Sequence, residues 1–229
     1  MSFGVRYRGI LIPVGQVAFT QSIPTEDGTP CPLACAGCYE DKIIRRTKYR
    51  KDATIDPDTI VGITNETVAK FPIAAHSIQA VEPGSNIPLT LNLCETVSAN
   101  DDRPPTFLVT SGHQFDLYAS ELARMNVWPC ITFRGHSRES NDGEGGYNTK
   151  KYTPFDDGMA GIGKYFAAGG SPKELAVAIN IELNRLQHLI HLPALLALRG
   201  VKRIYLNPLL QMDALGNPKS LHDDLEMMA

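Results

Sequence analysis

Hydrophobic positions fall in short blocks along this chain, and their spacing switches repeatedly between two and about 3.6 residues. Residues 9–20 (GILIPVGQVAFT) are apolar, β-branched and broken by glycines, which predicts one or two strands leading into a core. Residues 57–70 have helical spacing, with Asp56 placed to cap them. From there strands and helices alternate. Strands are expected at 77–83 (SIQAVEP), 106–112 (TFLVTSG), 129–135 (PCITFRG), about 174–184 and 201–210. Helices are expected at 88–99, 115–126, 155–170 (closed by Gly169) and 186–200. Six strands joined by helices predict an α/β fold with a parallel sheet and right-handed crossovers. The chain has room for six βα units, short of the eight that close a barrel of about 250 residues. No internal repeat or linker stands out, so residues 1–229 read as one domain.

Composition adds exclusions. The 229 residues are 43% hydrophobic and 21% charged, which is ordinary for a globular protein and too apolar for a disordered one. With 22 basic against 25 acidic side chains, the net charge of −3 argues against general coating of nucleic acid or an anionic membrane. The start, MSFGVRYRGILIPVG, does not read as a signal peptide, and LPALLAL is far shorter than the roughly 20 residues of a bilayer span. A reducing cytoplasm is the expected location. Six basic residues crowd into 42–51 (KIIRRTKYRK); they suit docking of an acidic electron donor, grip on a phosphate, or a solvated face.

Five cysteines are too few for a disulfide scaffold, and their number is odd. Three of them form Cys31-Pro-Leu-Ala-Cys35-Ala-Gly-Cys38, a C-x3-C-x2-C spacing. Soft thiolates this close in a reduced compartment suit zinc or an iron–sulfur cluster. Structural zinc uses four ligands, commonly two Cys or His pairs, and no second pair follows here. Three ligands fit a cluster with one open iron.

This spacing, in a loop after the first core strand of a βα series, resembles the radical S-adenosylmethionine (SAM) superfamily. The resemblance covers about residues 16–210. It implies a partial (β/α)6 TIM-like barrel and a [4Fe–4S] cluster on Cys31, Cys35 and Cys38 whose fourth iron is chelated by SAM. It also implies an enzyme that cleaves SAM reductively to a 5′-deoxyadenosyl radical, which takes hydrogen from an unidentified substrate. The superfamily's Gly-Gly-Glu-Pro motif, which receives the SAM amino group, is matched by Ala80-Val81-Glu82-Pro83, with both glycines replaced. Val109-Thr110-Ser111-Gly112 is similar to its Thr-Asn-Gly, and Ile131-Thr132-Phe133-Arg134-Gly135-His136 stands where many members have Ser-x-Asp-Gly. The aromatic that often precedes the third cysteine is here Tyr39, after it.

Ligands bind at the carboxyl ends of parallel strands, which directs attention there. Glu82, Pro83, Thr110 and Thr132 are the expected SAM contacts on the first strands. Asn180, Glu182 and Asn184 alternate on one face of the fifth, where the superfamily holds the SAM ribose and methionine. His113 and His136 directly follow strands and suit anion binding or proton transfer, or simply meet solvent. Arg134 suits a carboxylate of SAM or substrate, or a structural ion pair. The polar segment 137–152 (SRESNDGEGGYNTKKY) reads as a substrate lid or a flexible excursion. Cys94 and Cys130 are expected as buried thiols, Trp128 as packing, and His188 and His191 as packing or solvent-facing. Flavodoxin or ferredoxin is the expected electron donor. A different class of protein, holding zinc or a partner on its three cysteines without catalysis, is the alternative.

Overall fold

The computed structural model describes residues 3–7, 10–14, 17–21, 31, 33, 57–70, 73–78, 82–99, 105–143, 152–181 and 188–208. Strands β1 (Phe3–Tyr7) and β2 (Ile10–Val14) pair antiparallel, with Tyr7 opposite Ile10. The sequence pattern predicts β2 and the next strand, but not β1.

Six further strands form one sheet: β3 (Val17–Gln21), β4 (Ile73–Ile78), β5 (Thr106–Thr110), β6 (Trp128–Phe133), β7 (Ala176–Ile181) and β8 (Arg203–Pro208). They neighbour one another in chain order, and all five pairings are parallel. Between them run α1 (Pro57–Lys70), α2 (Ile87–Ser98), α3 (Phe115–Arg124), α4 (Pro154–Ala167) and α5 (His188–Leu198). A singly wound order puts every crossover on one face and curves the sheet into part of a barrel.

Burial alternates as that geometry requires. On β5, Thr106, Leu108 and Thr110 are buried toward the helices, while Phe107 and Val109 on the concave side are half-buried. On β6, Pro129, Ile131 and Phe133 are buried, and Trp128, Cys130 and Thr132 face the concave side. The helix-side core joins Leu93 of α2, Phe115, Tyr118 and Leu122 of α3, and Ile162 and Tyr165 of α4 to Leu108 and Ile131. The Tyr165 hydroxyl donates to the Val127 carbonyl at 3.1 Å. Cys94 lies in this core, and burial pushes its thiol up to about 12. Cys130 is only half-buried, because its strand position faces the concave side. Trp128 packs edge-on against Phe107 at 5.3 Å.

One strand is displaced from its expected place. β4 ends at Ile78, and residues 83–85 form a single 3-10 turn instead of a strand end. Proline lacks the N–H a strand partner needs and suits the first position of a helical turn. His76 interrupts the apolar run, yet its ring is buried and desolvation lowers its pKa to about 4. Among the described residues no helix is long and apolar enough to cross a membrane.

Candidate active site at the carboxyl ends of the strands

Past β4, Glu82 turns its buried carboxyl group toward the end of β5. The Thr110 hydroxyl and the Gly84 N–H both donate to Oε1, the latter at 3.4 Å, and the Ser111 N–H donates to Oε2 at 2.8 Å. Burial raises the Glu82 pKa, and these donors oppose the rise. Glu82 therefore clamps the ends of β4 and β5 together. Pro83 opens the turn, its carbonyl accepting from the Thr90 hydroxyl at 2.9 Å, and Asn86 caps α2 by accepting from the Leu89 N–H at 3.3 Å. A Cβ on Gly84 would lie 2.1 Å from the His113 carbonyl oxygen, so only glycine lets the two loops touch.

The β5 loop is held as tightly. Gly112 has φ +96°, and a Cβ there would sit 2.5 Å from the Pro154 carbonyl oxygen. Gln114 is left-handed at φ +52° without being glycine, a conformation the surroundings must impose. Asp157 supplies the restraint, for its Oδ2 accepts the Gln114 N–H at 2.9 Å. Its Oδ1 accepts the Thr153 hydroxyl at 2.8 Å. His113 is 3% exposed, packs edge-on against Tyr152 at 4.9 Å, and holds Nδ1 3.9 Å from Asp157 Oδ2. Burial lowers its pKa and Asp157 opposes this. His113 thus packs against the first turn of α4 rather than standing open to solvent.

Beyond β6, Asn141 Oδ1 accepts the N–H groups of Arg134 at 2.6 Å and Gly135 at 3.3 Å. Its Nδ2 donates to Asp142 Oδ1 at 2.7 Å, and that oxygen also accepts the Phe155 N–H of α4 at 3.1 Å. Desolvation pushes the Asp142 carboxyl up to about 6. Ser140, Asn141 and Asp142 are buried, and Glu139–Gly143 form one π-helical turn. The first part of the expected lid is therefore a built-in brace for the end of β6, and residues 144–151 lie outside the described residues. His136 meets His191 of α5, their rings 5.2 Å apart at 55°.

Asn180 near the end of β7 accepts from Asn207 Nδ2 on β8 at 2.9 Å. Glu182 and Asn184 lie outside the described residues, as do Cys35, Cys38 and the basic run 42–51. Cys31 is half-buried, and Leu33 two residues on is fully buried. Among the described residues no three His, Cys, Asp or Glu side chains gather as a metal centre. Glu82 and Thr110 are brought together at the β4 and β5 ends beside the loop that carries His113, Arg134 is fixed past β6 through its backbone N–H on Asn141, and Asn180 is joined to β8. Thr132 lies on the concave side of β6. Asp157 and Asn141, which hold these ends, went unread in the sequence. Pro154 followed by two acids in a first turn was the available signal for Asp157. Asn141 had none.

No family model and no curated protein matches the chain. Among solved structures, anSMEcpe with bound AdoMet superposes at a TM-score of 0.66 and 11% identity, over 90% of this chain and 57% of that one. Streptococcus suis SuiB bound to the precursor peptide SuiA superposes at 0.66 and 12%, over 93% of this chain and 44% of that one. SuiB bound to S-adenosylmethionine gives 0.59 and 13%, over 93% and 46%. The chain spans about half the length of these structures. At such identities the likeness establishes the fold alone, a parallel α/β sheet curved as a partial barrel.

Proposed function

We propose that this chain is a radical SAM enzyme core with a cluster on Cys31, Cys35 and Cys38. One combination carries the reading: a C-x3-C-x2-C segment follows the first parallel strand of a sheet whose fold is that of AdoMet-bound enzymes. The donor set fits, since three soft thiolates leave one iron open for an amino and carboxylate chelate. Bound there, the cluster and SAM supply one-electron cleavage to methionine and a 5′-deoxyadenosyl radical.

This chain's own residues then position and shield. Glu82 is a positioning residue, setting the height of Pro83 and Gly84 above β5 rather than offering a spare oxygen to a ligand. Thr110 and Thr132 border the strand ends, and Asn180, Glu182 and Asn184 take the far side of SAM. Arg134 serves as an anion partner for SAM or substrate. His113, kept neutral by burial, and His136 hold or move a proton near the substrate. The substrate is a small molecule, a nucleotide, a peptide or a glycine of a partner protein. The SuiA complex of SuiB supports the peptide class among these. A flavodoxin or ferredoxin in a reducing cytoplasm supplies the electron, with the basic run 42–51 as its docking face, and residues 1–229 act as one domain.

Metal analysis after anaerobic reconstitution tests this. The chain should bind about four irons with matching sulfide and turn brown, and Cys94→Ala and Cys130→Ala should leave the iron content unchanged. Colourless protein holding zinc would overturn the reading in favour of a non-catalytic metal protein. A second cluster's worth of iron lost in either variant would overturn the single-cluster count.

A further inference from the structure

The concave side of the sheet contains a pocket of about 270 Å³, away from the strand-end residues described above. Trp128, Ala176 and Arg203, the first residues of β6, β7 and β8, all border it, so it lies in the half nearer the amino ends of the strands. Closed barrels fill this interior with layers of bulky branched side chains. Here Ser77 sits beside Phe107, and Ala176 beside Arg203, so small side chains leave space among the rings of Phe107, Trp128 and Tyr205.

The wall carries one rigid cation. The Arg203 guanidinium carbon lies 5.8 Å from the Trp128 ring centroid and 5.6 Å from that of Tyr205. Nη1 donates to the Lys173 carbonyl at 2.8 Å, and Nη2 donates to the Tyr205 hydroxyl. Among the described residues these bonds use two of its five N–H donors, and the fork lies within cation–π distance of both rings. Such pre-ordering lowers the entropy lost when an anion binds. Glu174 borders the same pocket on the β7 side.

We propose that this pocket is a second ligand site, and that it takes a small organic carboxylate built on one apolar ring. The ring would stack among Phe107, Trp128 and Tyr205, and the carboxylate would meet the Arg203 fork. The volume is at the lower end of small-molecule sites, roughly 300 Å³, which suits one ring and excludes a nucleotide. Two sources share this chemistry, an aryl acid and an aromatic amino acid, whose ammonium group would face Glu174. The inference does not depend on the cysteines or on SAM.

Trp128 is the chain's one tryptophan, so its emission reads this pocket alone. The full chain is titrated with 3-phenylpropionate, L-phenylalanine, 3-phenyl-1-propanol and acetate, with and without reconstituted iron. A saturable change is expected with at least one of the first two. The propanol should bind about tenfold more weakly or worse, and acetate should give no saturable change. Tighter binding of phenylalanine assigns an amino acid, and tighter binding of phenylpropionate an aryl acid. Arg203→Leu should weaken binding about tenfold or more. Ala176→Leu, which fills the space, should abolish it, with circular dichroism reporting the fold of both variants. No saturable response to either carboxylate, equal binding of the propanol, or unchanged affinity in a folded Arg203→Leu would overturn the proposal.

Discussion

Cys31→Ala, Cys35→Ala and Cys38→Ala are each expected to lose the brown chromophore and nearly all bound iron after anaerobic reconstitution. The reason is coordination chemistry. Each thiolate supplies one iron ligand, alanine has no donor atom, and water is a poor substitute for a soft sulfur ligand. The fold should survive these losses. The core of α2, α3 and α4 against β5 and β6 is assembled without the motif, and a chain of this size buries roughly 70% of its surface without a metal. Circular dichroism and the urea midpoint of each variant should therefore match the unreconstituted parent, while the brown absorbance disappears. Full iron retained in any one variant would remove that cysteine from the ligand set.

Glu82→Ala has the second large expected effect, and here the loss is in stability. The substitution strands a Thr110 hydroxyl and the N–H groups of Ser111 and Gly84 at a buried position. A hydrogen bond to a charged group is worth about 1.5–3 kcal/mol, and such losses are not additive, so a total of about 3 kcal/mol is the scale. With an m-value of about 2–3 kcal/mol/M, the urea midpoint should fall by about 1 M. Glu82→Gln keeps one acceptor oxygen and should fall less. SAM affinity should weaken alongside stability, because Pro83 and Gly84 move with the clamp. A Glu82→Ala protein of unchanged stability that loses only SAM binding would show that the carboxylate touches SAM directly.

The parts legible in the sequence were those set by local periodicity. α1 occupies the expected 57–70, and β5, α3, β6 and α4 lie within two or three residues of their expected bounds, because each carries its own alternation and punctuation. β4 starts four residues before its expected place: it includes the buried polar His76, which breaks the apolar pattern, while the Glu-Pro step expected at the strand end forms a turn. At the site, Glu82 and Thr110 were readable as a motif, but their direct bond was not, since it joins positions 28 residues apart. Asp157 acts on Gln114 across 43 residues, and no local pattern announces such a restraint. Segment 137–143 misled for a related reason: a polar run looks solvated until its serines are seen closing their own turn, Asn141 accepting the N–H groups just past β6, and Asp142 accepting the Phe155 N–H of α4.

The central claim is SAM cleavage, and one measurement addresses it most directly. The reconstituted chain, reduced by dithionite without oxygen and supplied with SAM alone, is assayed for 5′-deoxyadenosine and methionine. An open iron that chelates SAM permits some uncoupled turnover before any substrate is known, so both products should accumulate slowly in equal amounts. They should be absent with Cys35→Ala carried through the same reconstitution. Fully iron-loaded protein that binds SAM yet forms neither product, or a Cys35→Ala protein that forms them at the parent's rate, would contradict the account.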